Sequence, residues 1–407
     1  MLNLGPYSWC ISLAIFIYLY TRDIPVLTCI LFVSDSQVSR HPLLMIFLNG
    51  TSVVQMFVML SNFLLAYNML LVSKTHRLSF TMMPYIIIKR IARTFPLHVL
   101  VVGYAATWWS RAGSGPMWPL MVAAESEACR RKFWTHALYI NNLVDPDDIC
   151  LVQTWFIAAD IQLYILASVL SLYLVRRRQR ALRILGAFVV ASSLLNGLLA
   201  YAFNWQSIIY FVYPRTLNNM YKGISSFSRL YMSPWGSLPA CLIGLFVAHL
   251  HFEMQEAGVK LTSYRFLKLP YHLAPLMMLA WTLAGNWLRE FRQPWFVATY
   301  VAMERPLLSL LGALTLIGMV NGLEGYLKRL FAWRGWHAMG RMSLAVLMVH
   351  WCMNMNIAAS RPQPIATSVL SVAVDLLATS CFSYMLAIPL TLMVEMPLMK
   401  FITSLLY

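Results

Sequence analysis

The chain of 407 residues is 60% hydrophobic and only 11% charged, with a mean hydropathy of +0.65 and a formal net charge of +16. That balance excludes a soluble globular domain and leaves lipid as the solvent. It does not indicate nucleic-acid binding, because the Lys and Arg residues are dispersed among short connections between apolar runs instead of forming one basic face.

A spanning helix needs about 20 predominantly apolar residues to cross about 30 Å of hydrocarbon. Such runs lie at 8 to 33, 43 to 72, 94 to 110, 152 to 175, 181 to 203, 234 to 252, 271 to 288, 298 to 322, 341 to 359 and 368 to 394. They predict an all-α, polytopic bundle of about ten helices. The first run is interrupted by Arg22, Asp23 and Pro25. It is one broken span, two shallow segments, or a signal sequence ahead of a poorly embedded stretch, the last being disfavoured because no basic region precedes it. The chain therefore divides into an N-terminal membrane segment (1 to 41), a transmembrane domain (42 to 400) and a short tail (401 to 407).

Cytosolic connections are enriched in Lys and Arg. Placing 73 to 93, 176 to 183, 253 to 270, 323 to 341 and the C-terminal end from Lys400 on one side gives that side 18 of these residues against 11 opposite, with Arg176, Arg177, Arg178 and Arg180 as the clearest anchor. The expectation is a multi-pass protein of the endoplasmic reticulum or plasma membrane with both termini cytosolic, its basic residues contacting lipid headgroups.

The longest connection, 111 to 151, falls on the non-cytosolic side and is too long for a simple turn. It carries Cys129 and Cys150, 21 positions apart, while the other five cysteines sit in apolar runs. In an oxidising compartment these two either pair as a disulfide or remain free thiols. Asn49, Gly50 and Thr51 form a glycosylation sequon at the edge of a span.

Ionisable groups inside a bilayer are expensive and each asks for an explanation. Lys89, Arg90 and Arg93 bring three cations to the cytosolic start of the third span, with Arg90 and Arg93 on one helix face. They either grip phosphate groups of an acyl-CoA or lipid headgroup, or anchor the topology. Asp160 has Tyr164 one turn along, and is either a carboxylate orienting a base or substrate hydroxyl, or a buried acid paired across helices. His350, with Asn354 one turn later, is either a structural imidazole or an acid-base group, with Asp375 as a possible partner. Glu304 and Arg305 fit a local or interhelical ion pair. The nine histidines and seven cysteines show no metal-ligand spacing, and no Gly-rich nucleotide loop occurs. No metal site and no bound cofactor are expected.

Seven segments in order resemble the acyltransferase 3 family, in its animal branch named after nose resistant to fluoxetine: SVVQMFVMLSNFLLAY (52 to 67), RIARTFP (90 to 96), CRRKFWTHALYINN (129 to 142), CLVQTWFIAADIQLY (150 to 164), SPWGSLPACLIG (233 to 244), MSLAVLMVH (342 to 350) and EMP (395 to 397). The resemblance covers about residues 45 to 400. It implies a ten-helix bundle that moves an acyl group from acyl-CoA to a hydroxyl acceptor, either a lipid or a small molecule. Arg90 and Arg93 match the family's Arg-x-x-Arg motif, and Asp160, Gln162 and Tyr164 its Trp-x-x-x-x-Asp-x-Gln motif. His350 matches its Tyr-Leu-x-His segment, and Cys129 and Cys150 the branch's loop cysteines.

The chain also departs from the pattern. No histidine precedes His41, whereas the family carries one at the end of its first helix as general base; Ser52-Val53-Val54 stands for Ser-Val-Asp, and Ser61-Asn62 for Ser-Gly. The branch's cysteine-rich N-terminal domain has no counterpart in this sequence, as expected for a shortened form of a longer protein or for a divergent member. The expectation is an O-acyltransferase using acyl-CoA as co-substrate; the alternative is a lipid or small-molecule carrier that keeps the fold without the chemistry.

Overall fold

The computed structural model describes residue 49 and residues 51 to 211, 221 to 331, 333, 335 to 362 and 369 to 405. Among them the fold is all-α, without a strand. Its longer helices are α1 (Thr51–Val72), α2 (Met83–Thr107), α3 (Ala124–Ala137), α4 (Thr154–Val175), α5 (Arg178–Phe203), α6 (Pro234–Glu256), α7 (Arg265–Leu288), α8 (Pro294–Val320), α9 (Ser343–Ala359), α10 (Val369–Leu390) and α11 (Met396–Leu405). Six helices among the described residues are long and apolar enough to cross a membrane. The run at 8 to 33 lies outside the described residues; the other nine each coincide with one of these helices.

Three boundaries differ from expectation. Helix α2 begins at Met83, so Lys89, Arg90 and Arg93 are helical and not part of a preceding loop; Pro84 at its first turn costs no hydrogen bond and starts it there. Residues 401 to 405 continue the helical domain, because α10 runs through a π-turn at Thr391–Glu395 into α11. The connection after α2 contains α3, closed by a Cys129–Cys150 disulfide with its Cα atoms 4.8 Å apart.

Helix α6 is central, packing on α1, α4, α5 and α8. Its start is set by Ser233, whose Oγ accepts from the Gly236 N–H at 3.1 Å, followed by Pro234. Gly244 lies where α6 crosses α1: a Cβ there would meet the Met59 carbonyl oxygen and, at 3.0 Å, the Phe63 nitrogen. Small residues at such crossings let the backbones approach, which is how helices gain packing in lipid, where apolar surface alone supplies no driving force. Helix α5 ends at Asn204, which takes the left-handed conformation (φ 53) and turns the chain toward the short helix Ile208–Phe211.

Helix α3 does not stand off from the bundle. It returns antiparallel along α2: Arg130 Nε donates to the Ala106 carbonyl at 3.2 Å, Phe133 packs over Gly103, the His136 ring lies 5.5 Å from that of His98, and Tyr139 reaches Thr94. Glu125, Lys132 and His136 are buried, while Trp134 and Leu138, 53% and 63% exposed, share the outward side with the exposed Glu127, Arg130 and Arg131.

Candidate functional site

Helices α1, α2, α4 and the start of α9 enclose a cavity of about 260 Å³. Its walls are mostly apolar, with Phe57, Leu60, Leu64, Phe156, Leu344 and Leu347 among them. Its polar end is formed by Ser61, Arg90, Arg93, Thr94, Asp160 and Tyr164. The segments at 90 to 96 and 150 to 164, far apart in sequence, thus meet at one place.

Arg90 Nη2 pairs with Asp160 Oδ2 at 2.5 Å and donates to Ser61 Oγ at 2.9 Å, and Ser61 in turn donates to Asp160 Oδ1 at 3.0 Å. The guanidinium also sits 5.1 Å from the centroid of the Tyr164 ring. Arg90 is thereby neutralised by its own carboxylate. Arg93, one turn away on the same wall, makes no hydrogen bond or ion pair among the described residues; Glu395 and Asp160 act on it only at longer range. The Arg-x-x-Arg spacing therefore yields two different residues, one clamped and one free to bind an anion.

Gln162 lies outside this wall. Its Nε2 donates to the Tyr139 carbonyl at 2.8 Å and to Asn142 Oδ1 at 2.8 Å, so it fastens the chain after α3 to α4. Lys89 is exposed, 5.8 Å over the Tyr85 ring, and does not line the cavity.

His350 is not in the cavity wall either. It is fully buried, its Nδ1 is 3.1 Å from the Val346 carbonyl of its own helix, and Asn354 is buried beside it. Leu347, one turn earlier on α9, faces the cavity instead. Asp375 is ion-paired with Arg361, which corrects the expected partnership with His350. The local or interhelical ion pair expected of Glu304 and Arg305 is not found among the described residues. Successive helix positions point apart: Glu304 accepts from Ser207 at 2.6 Å, while Arg305 reaches Ser237 Oγ and the Leu230 carbonyl, each at 3.4 Å. Asn49 is 1% exposed in the folded bundle, which leaves no room for a glycan on its amide.

Sequence reading missed the histidines beside this site. Arg90, Thr94 and His98 follow one another at four-residue spacing along α2, and that stripe was the available signal. Among the described residues no group of three or more His, Cys, Asp or Glu could hold a metal ion.

No family profile matches the chain, and no solved structure matches it. Nose resistant to fluoxetine protein 6 of Caenorhabditis elegans is 21% identical to it over 324 residues, covering 77% of this chain and 39% of that protein. The chain thus spans well under half the length of this relative. Most of the chain is similar to a nose-resistant-to-fluoxetine protein, and this supports the resemblance to that branch.

Proposed function

We propose that the protein is a membrane O-acyltransferase that takes an acyl group from a thioester donor, acyl-CoA, and passes it to a hydroxyl acceptor. The reading is supported chiefly by Arg93: an unpaired guanidinium at the polar end of an otherwise apolar cavity suits a ligand with an anionic head and an acyl arm. At about 260 Å³ the cavity is smaller than the usual ~300 to 1,000 Å³ of ligand pockets. It suits a short acyl arm with its thioester, while the nucleotide of coenzyme A stays outside, toward the end carrying Lys74 and Arg178, which we assign to the cytosol. Asp160 and Ser61 hold Arg90 in place, and the guanidinium N–H groups they leave unengaged are fixed donors beside the thioester, where charge develops on the carbonyl oxygen.

The test is transfer from radiolabelled acyl-CoA to a membrane lipid extract by the purified protein. Wild type transfers label, and Arg93→Ala raises the donor KM by about ten- to a hundredfold, the worth of a hydrogen bond to a charged group. Tight acyl-CoA binding without any transfer overturns the enzyme reading in favour of a carrier that keeps the fold.

A further inference from the structure

Acyl transfer to a hydroxyl needs a base, and none of the cavity-wall residues named above is a histidine. Two lie just behind the wall. His98 and His136 are 0% and 1% exposed, their ring centroids are 5.5 Å apart, and none of their four ring nitrogens has a hydrogen-bond partner among the described residues. Buried polar atoms are almost always paired, so two adjacent unpaired imidazoles ask for a role. The Tyr139 ring stacks on His98 at 5.2 Å, and its hydroxyl is 3.0 Å from Thr94 Oγ1, on the cavity wall. On its far side His136 borders a small niche with Lys132 and Asn141. Hydroxyls and imidazoles thus run from the cavity to the disulfide-closed segment.

We propose that His98, backed by His136, is the proton acceptor of the transfer reaction, and that the Thr94 and Tyr139 hydroxyls carry the proton to it from an acceptor hydroxyl in the cavity. The proposal rests on the acyl-transfer reading. The acceptor O–H bond breaks as its oxygen bonds to the thioester carbonyl carbon. For the proton to reach His98, the Tyr139 hydroxyl must move from Thr94 onto a His98 ring nitrogen, because in this structure the two rings meet only by stacking. The C–S bond then breaks, the sulfur leaves with the electron pair, and the thiolate recovers the proton by the same route. Nothing is oxidised or reduced.

Protonated His98 has two N–H donors, and the neutral His136 ring beside it is an acceptor for one of them. Burial first, then the charges of His98 and Lys132, hold the pKa of His136 well below its ordinary value, which keeps its ring neutral. His98 and Tyr139 are positioning and proton-carrying residues; Thr94 is the one that meets substrate.

The experiment compares initial rates with short-chain acyl-CoA and lipid extract for wild type, His98→Gln, His98→Phe and Tyr139→Phe, with thermal unfolding of each. Both His98 variants are expected to lose about a hundredfold or more in kcat, within the usual contribution of acid-base catalysis, with donor KM unchanged. Tyr139→Phe keeps the ring stack, loses only the hydroxyl, and should lose about tenfold in kcat. Wild-type kcat in His98→Phe, which fills the same space without a nitrogen, overturns the proposal, as does a loss confined to KM. If the His98 variants do not fold, Tyr139→Phe decides by the same criterion. An inactive wild type sinks both readings, whereas active variants sink only this one.

Discussion

Arg90 and Arg93 are the same residue type one turn apart, and their surroundings make them different. Arg90 is three-quarters buried and its Asp160 partner more so, at 25% and 9% side-chain exposure. Removing one charge from such a pair strands the other in the bundle. Asp160→Asn should therefore destabilise the protein by about 3 kcal/mol, read as a lower Tm in detergent, whereas Arg93→Ala should leave the Tm unchanged. Glu125 poses the opposite problem. Burial pushes its pKa up from 4.5 to about 7, against the pull of Lys222 at 3.9 Å and the Leu151 N–H. Since the folded state holds this proton more tightly than the unfolded chain, the stabilisation is complete below about pH 4.5 and is lost as pH rises through about 7. Glu125→Gln should flatten the fall of stability with pH across that window by up to about 3 kcal/mol, measured by thermal unfolding at several pH values.

Among the elements, the α1–α6 crossing depends on one residue. Gly244→Ala places a methyl against the Met59 backbone, which cannot yield as a side chain would, and should cost about 1 to 3 kcal/mol. The measurement is thermal unfolding; an unchanged Tm would show that the crossing relaxes freely. Helix α3 shows an element that the sequence did not make legible. Its low hydropathy, with Glu125, Glu127, Arg130, Arg131 and Lys132 within little more than two turns, reads as a water-exposed loop. Partners distant in sequence reverse that reading: Leu151 bonds Glu125, the Asn141 and Asp145 carbonyls take Lys132 at 3.1 and 2.8 Å, and the disulfide holds the helix down.

At the scale of the whole molecule, Lys74, Arg178 and Glu256 form a cluster of ion pairs at 3.2 and 2.8 Å at the ends of α1, α5 and α6, the end where basic residues concentrate. The positive-inside rule assigns that end to the cytosol. A single reporter cysteine at position 180 should be labelled by an impermeant maleimide only after the cells are permeabilised; labelling in intact cells would invert the topology. Composition and run length alone determined a helical bundle in lipid, because backbone groups must be satisfied within each span and only helices do so segment by segment. The ordered motifs pointed to Arg90, Arg93 and Asp160, and the Cys129–Cys150 disulfide was one of two readings left open. Only the tertiary structure decided that Arg90 is clamped and Arg93 free, that His350 is turned away from the cavity, and that His98 and His136 stand behind its wall. These are properties of how helices rotate and cross, which an apolar sequence records only where polar residues repeat on one face, as Arg90, Thr94 and His98 do on α2.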